Sequence, residues 1–416
     1  MKKRFSITMI LSLSGLCLMT GAPKENFEDI FNDSTLRVDY VFSGIDGDVS
    51  PSLTSESKQP GWYGRRTRLK DTPAKGNGTV LMLDPATGDT LYVNSFSTLF
   101  QEWLVTPEAF ETPRSFENSF LLPLPKKETV IKIELRNNRH KDISTLSYLY
   151  KPDNELVARR GASPRPHQYL HKGGDPKDVI DIAILSEGYT EAEMDSFINH
   201  SQKIVNEILS YEPFASKKDK FNFVAVPVPS RDSGVSIPVK DEWKETAFGS
   251  HFSTFHSPRY LTVPKVKAMH EALEGIPYEH LFVVVNTPEY GGGGIFNSYQ
   301  VAAAKNRFTL PVAVHEFGHS FAGLADEYFY ADEEDDTYPL DVEPWEANIT
   351  TMVDFDSKWA DIADGEKVGV FQGGGYKTLG IFRPTETCRM RDNFFPTFCP
   401  VCEKEILKII NFYTEQ

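Results

Sequence analysis

The feature that most constrains this chain is Val312-Ala-Val-His-Glu-Phe-Gly-His-Ser-Phe-Ala-Gly-Leu-Ala-Asp-Glu-Tyr328, with a His-Glu-x-x-His run at His315, Glu316 and His319. Side chains four apart share one face of a helix, so both imidazoles can address a single metal ion. Glu316 lies about 100° round the helix from His315. That puts its carboxylate beside the metal without making it a ligand. Zinc with two or three protein ligands and one open position lowers the pKa of its water to about 7. A neighbouring carboxylate takes that proton and later hands it to a leaving amine. The expected chemistry is peptide-bond hydrolysis, with His315 and His319 as ligands and Glu316 as general base.

The flanks support a helix that stops and turns back. Thr309 reads as its cap, Pro311 suits the first turn, and Val312, Ala313, Val314 and Phe317 supply apolar faces. Gly318 weakens helix propensity but lets a neighbour pack close to the backbone. Gly323 is the expected stop. Asp326 and Glu327 follow, seven and eight positions beyond His319. Asp326 is the candidate third ligand and Glu327 its competitor. The rival reading is a helix whose histidines merely line the core. The helix signals, the glycine break and the acidic pair after it weigh against that.

The chain opens with Lys2, Lys3 and Arg4 and then the apolar run Phe5–Met19, the layout of a signal peptide. Thr20-Gly21-Ala22 supplies small residues for cleavage after Ala22, defining residues 1–22 as the targeting segment. Cys17 offers another route, cleavage before it with lipid attachment, although Ser14-Gly15-Leu16 is a poor lipobox. Either route exports the protein, to the periplasm, the cell surface or the medium. No later stretch reaches 18 apolar residues, so no span is expected in the mature chain. Loss of the three basic residues takes the formal charge from −15 to −18, which argues against nucleic acid or an anionic membrane surface as partner.

Residues 23–160 read as an antiparallel β-sandwich serving as an accessory domain. Leu36–Phe42, Thr79–Leu83, Thr90–Val93 and Thr129–Leu135 are strand candidates separated by Gly-, Asn- and Asp-rich turns. No catalytic constellation occurs there. Residues 161–178 are rich in Gly and Pro and read as a linker, in which His167 and His171 are expected to be solvated. Residues 179–416 alternate strands (Val179–Leu185, Phe221–Val228, Leu281–Val285) with helices (from Thr190 to Tyr211, and Val263–Leu273) before the metal helix. That order predicts an α/β catalytic domain with a largely parallel sheet, making the whole chain α+β. Thr190-Glu-Ala-Glu193 is a capping box. The glycine run Tyr290–Ile295 leads into a strand, Phe296–Ala302, that suits the edge of a peptide-binding cleft.

Three further features bear on the site. The acidic run Asp332–Asp336 reads as a solvated loop that also suits Ca2+. Tyr328 and Tyr376 are candidates to steady an oxyanion. Cys388, Cys399 and Cys402 imply one disulfide with one thiol left over, pinning the C-terminal helix; three sulfurs alone argue weakly for a second zinc.

The long metal motif, Ser186-Glu-Gly-Tyr-Thr190 and the terminal Phe398-Cys-Pro-Val-Cys402 together resemble the IgA-peptidase family of zinc metallopeptidases. The resemblance extends over the β-rich N-terminal region and so covers most of the mature chain. It implies a metzincin-like zincin domain behind a β-sandwich, one catalytic zinc on His315 and His319, and Glu316 as base. It also implies that Met390, in Thr387-Cys-Arg-Met-Arg391, is the methionine turn beneath the imidazoles. The usual metzincin spacing places a glycine three residues after the second histidine and the third ligand six after. Here Gly323 stands four after and Asp326 seven after. The expected partner is a protein or peptide substrate outside the cell, with host glycoproteins and immunoglobulins among the candidates, although membership of the family does not itself imply immunoglobulin as substrate.

Two rivals remain at this stage. A gluzincin-like enzyme would draw its third ligand from Glu343 or Glu346. A non-catalytic exported protein or glycan-binding module on a degenerate protease scaffold would have no need of Glu316.

Overall fold

The computed structural model describes residues 26–330 and 337–415. The N-terminal targeting segment, Cys17 and the acidic run Asp332–Asp336 lie outside the described residues. After a one-turn helix α1 (Phe27–Ile30) come β1 (Phe31–Ile45), β2 (Asp48–Pro60), β3 (Gly78–Leu83) and β4 (Thr90–Phe96). A short helix α2 (Leu99–Trp103) precedes β5 (Arg114–Pro125), β6 (Thr129–Arg136), β7 (Asp142–Tyr150) and β8 (Ala158–Arg159). They form two four-stranded sheets, ordered β5-β1-β2-β8 and β4-β3-β6-β7. Strict alternation in β3 and β6 sends Val80, Met82, Ile131, Ile133 and Leu135 inward. They share one core with Leu36, Val38, Tyr40 and Phe42 of β1 and with Phe100 and Trp103 of α2. The aromatics Tyr40, Phe42, Tyr92 and Trp103 are all core. The pairing is not wholly antiparallel as expected, because β8 runs parallel to β2.

The second half is built on a six-stranded sheet ordered β13-β14-β12-β10-β11-β9. Its strands are β9 (Gln168–Lys172), β10 (Ile180–Glu187), β11 (Phe221–Val226), β12 (His280–Val285), β13 (Gly292–Ile295) and β14 (Tyr299–Ala303). The inner four pair in parallel, and β9 and β13 close the edges antiparallel. The expected linker is thus partly strand: β9 falls inside residues 161–178, and His171 Nε2 bonds Lys218 O at 2.8 Å.

Every residue of β10 is buried, since each face of the sheet carries its own core. Ile180, Ile182 and Ile184 pack with α3 (Met194–Ile208), α5 (Thr309–Ala322) and α6 (Pro400–Thr414). Ala183 and Leu185 pack on the other side with Met269 of α4 (Val266–Ala272). The first turn leading into α3 is held by the Thr190–Glu193 capping box. A hairpin of β15 (Phe371–Gly374) and β16 (Lys377–Arg383) completes the molecule.

The halves are joined by buried polar contacts. Arg37 on β1 bonds Asp39 at 2.8 and 3.0 Å and reaches across to Glu274 at 3.4 Å. Asn297 Nδ2 donates to Ser95 O at 2.7 Å. No helix among the described residues is long and apolar enough to cross a membrane.

Candidate metal centre and active site

Helix α5 carries the motif and is fastened at both ends. Thr309 is not its cap, as the sequence suggested: Phe308 holds that position, and the Thr309 hydroxyl donates to Ala303 O and Asn306 O at 2.7 and 2.8 Å. This ties the helix start to the end of β14. Gly323 ends the helix at φ 62°, a left-handed conformation that favours glycine, and its amide bonds His319 O at 2.9 Å. The chain then doubles back and delivers Asp326 to the histidines.

The approach of neighbouring segments depends on missing side chains. A Cβ on Gly318 would sit 2.7 Å from Met390 Sδ, so Met390 packs directly against the helix backbone. A Cβ on Gly292 would sit 2.6 Å from Glu316 Oε1, and one on Gly294 2.5 Å from Glu316 O. The glycine run is therefore strand β13 itself, pressed on the metal helix. Its outer edge is met at Gly292 by Tyr260 and Leu261.

His315 Nε2, His319 Nε2 and Asp326 Oδ1 form a near-equilateral triangle. The two nitrogens are 3.0 Å apart, and the carboxylate oxygen lies 2.9 and 3.2 Å from them. Each ring's Nδ1 faces a backbone carbonyl, Arg389 O at 3.1 Å for His315 and Leu324 O at 2.5 Å for His319. A carbonyl only accepts, so each Nδ1 carries the proton and the neutral ring turns a lone pair inward at Nε2. Two nitrogen lone pairs and a carboxylate oxygen then converge on one point, which calls for a cation. Edges of about 3.3 Å are what tetrahedral bonds of about 2.0–2.1 Å produce. The donor set suits zinc. Without metal, a proton takes the cation's place: burial disfavours charge on His319, but Asp326 outweighs it and lifts the imidazole to about 9.

A hydrogen-bonded frame holds the third ligand. Tyr376 donates its hydroxyl to Asp326 Oδ2 at 2.7 Å, and Gly375 N donates to Asp326 O at 2.8 Å. Tyr376 sits at φ 69°, a strained conformation for a non-glycine residue. Its amide bonds Tyr328 O at 3.0 Å, so the tip of the β15–β16 hairpin clamps the strip after the helix. Of the two tyrosines considered for an oxyanion, Tyr376 is engaged with Asp326. Tyr328 lies nearly parallel to the His315 ring, with centroids 6.4 Å apart.

Glu316 sits in this enclosure. Burial raises its carboxyl against the pull of His315 and His319, a setting that favours proton transfer. Glu102, from α2 of the N-terminal half, comes close enough to feel the same charges. Burial pushes its carboxyl up to about 7, and Tyr260 donates to it. Nothing in the sequence linked Glu102, Arg259 or Tyr260 to the site: Glu102 arrives through the packing of the two halves, while Arg259, over the Tyr328 ring at 5.5 Å, and Tyr260, beside Gly292, are brought in by the fold of the second half itself.

The other ligand candidates are occupied elsewhere. Glu327 points away from the histidines toward the cysteines. Glu343 accepts from Asp354 N at 2.9 Å, and Glu346 from Tyr338 at 3.2 Å. The expected disulfide is not formed: Cys388, Cys399 and Cys402 are buried free thiols, with Sγ of Cys388 and Cys402 3.7 Å apart.

Three converging donors beside a buried carboxylate are the arrangement that a metal-dependent hydrolase uses. The family profile described as IgA Peptidase M64 matches residues 169–365 and 360–410, and that described as Peptidase M64 N-terminus matches residues 26–147. The chain belongs to this family of metallopeptidases and is a peptidase. Comparison with curated proteins gives no match.

Proposed function

We propose that this chain is an exported, zinc-dependent endopeptidase that cleaves extracellular proteins, with a catalytic unit working in the manner of the metzincins. The carrying observation is the triangle of His315, His319 and Asp326, whose inward lone pairs fit a zinc ion. Zinc held there supplies a Lewis acid for the scissile carbonyl and a water with a pKa of about 7. Glu316 takes the proton of the attacking water and returns it to the departing amine. Its raised pKa suits both roles, because the carboxylate must gain and lose a proton in one turnover. Tyr376 holds Asp326 in place through its outer oxygen. Tyr328, whose ring lies alongside His315 and whose side chain also hydrogen-bonds Asp326, is the candidate to steady the oxyanion. The basic and apolar segment at residues 2–19 supports export.

The test is cleavage of a broad panel of peptides and proteins, host glycoproteins and immunoglobulins included, by wild type and Glu316→Ala with zinc assayed in both. Removing a general base costs roughly 10²–10⁴-fold in rate. Glu316→Ala should keep its zinc and lose activity by at least that factor. Loss of zinc together with activity would remove Glu316 from the role of base.

A further inference from the structure

We propose that Glu327, Cys388, Cys399 and Cys402 form a second, structural zinc site, separate from the histidine centre. Donor atoms of all four lie within 4.8 Å of one another. All four residues are buried, none more than 3% exposed. Cys388 and Cys402 Sγ are 3.7 Å apart, while Glu327 Oε1 lies 3.3 Å from Cys402 Sγ and 4.0 Å from Cys399 Sγ. A disulfide requires about 2.05 Å between sulfurs. Bonds of about 2.3 Å to a tetrahedral zinc hold sulfurs about 3.8 Å apart. The observed spacing is the second kind. The three cysteines alone are one ligand short of such a site, and Glu327, 61 residues before Cys388 in the chain, supplies it.

A second observation points to a missing ion. Glu327 Oε2 is fully buried and has no hydrogen-bond partner. An orphaned carboxylate oxygen among buried thiols is costly unless a cation compensates it. The surroundings suit thiolates and not thiols. The Cys399 amide donates to Cys388 Sγ at 3.3 Å, and Asn348 Nδ2 donates to Glu327 Oε1 at 2.9 Å. Cys399 caps the fifteen-residue helix α6 and Cys402 stands in its first turn, where the helix dipole favours negative charge. Three sulfurs and one oxygen in tetrahedral spacing select zinc among common divalent ions. All four positions are filled by protein, the mark of a structural site.

The ion's task follows from its neighbours. Glu327 adjoins Asp326, and its amide bonds Met390 O at 2.9 Å. Cys388 precedes Arg389, whose carbonyl fixes the His315 tautomer. One ion would therefore lock the strip bearing Asp326, the turn bearing Met390 and the start of α6 into a single unit.

The decisive sample is the full chain carrying His315→Ala and His319→Ala, which lacks the catalytic ligands. It should retain one zinc per chain, and wild type should hold two. Loaded with Co2+ instead, it should show a near-ultraviolet thiolate-to-cobalt band, which no nitrogen and oxygen site produces. Alkylation in denaturant and chelator, read by peptide mass mapping, should label all three cysteines. Cys402→Ser in the same background should lose the remaining zinc and the band. If that variant does not fold, the cobalt spectrum of the folded double variant decides alone. A double variant free of metal, or a Cys388–Cys402 disulfide found by mapping, would overturn the proposal. Neither result depends on peptidase activity, so the histidine centre stands or falls separately.

Discussion

At the scale of single residues, the contact that most shapes the site is the Tyr376 hydroxyl on the outer oxygen of Asp326. Removing a partner of a ligating carboxylate typically weakens metal affinity 10–100-fold. Tyr376→Phe should therefore raise the zinc dissociation constant by roughly that factor, measured by competition with a chromophoric chelator. Activity at saturating zinc should change little. A large fall in kcat with zinc affinity intact would instead make Tyr376 an oxyanion donor. The His315–Glu316–His319 trio was legible in the sequence because one helical turn is a local, rigid geometry. So were the close approach at Gly318 and the stop at Gly323, which need only a glycine's freedom at known positions. Asp326 was reached by following the chain past that stop. Tyr376 was seen as a tyrosine of interest but not as the partner of Asp326, because fifty residues and a hairpin separate them. The thiols were read as one disulfide and a spare thiol, without Glu327, for the same reason: that carboxylate lies far from the sulfurs in sequence.

At the scale of elements, strand β10 carries an ionisable group into the heart of the sheet. Asp181 is completely buried; it accepts from Asn222 Nδ2 at 2.8 Å, and its Oδ2 has no partner. Burial pushes this carboxyl up to about 7, far above its ordinary 3.8. The folded state therefore holds the proton more tightly than the unfolded chain does. Its contribution to stability is fully present below about pH 4 and is lost as pH rises to about 7. Asp181→Asn should flatten that decline and be the more stable protein at pH 8, by on the order of 2–4 kcal/mol. Calorimetric melting at several pH values checks this, and parallel curves for the two proteins would contradict it. Buried strands such as β10 and β12 were readable as short, mainly apolar runs, with Asp181 an exception in β10. Strand β9 was not, because an edge strand of Gln168-Tyr-Leu-His-Lys172 between glycines and prolines has the composition of a linker.

At the scale of the whole molecule, the N-terminal half is docked on the peptidase half and contributes Glu102 to the surroundings of its centre. Arg37, 2% exposed, is the polar bolt of that junction. Its loss would leave Asp39 buried and short of its partner. Breaking one side of a buried pair costs about 3–5 kcal/mol. Arg37→Met should lower stability by that amount and split a single calorimetric transition into two as the halves come apart. An unchanged single transition would show that apolar contact alone joins them. The two-part plan of the chain was readable from strand spacing and from the shift to alternating strands and helices. The docking was not, since it rests on pairs such as Arg37–Glu274 and Asn297–Ser95 that only the folded chain brings together.

The dipeptide Asp326-Glu327 faces two ways, its first carboxylate toward the histidines and its second toward the thiols. Inserting or deleting one residue before it would exchange those directions and strip both clusters together. A library randomised over residues 324–328 should therefore return almost no survivors in a screen for proteolysis-resistant protein, with Asp326-Glu327 nearly fixed among them. Its spacing from His319 is set by the number of residues between them, which no substitution alters, so a change toward another spacing would have to re-aim both carboxylates at once.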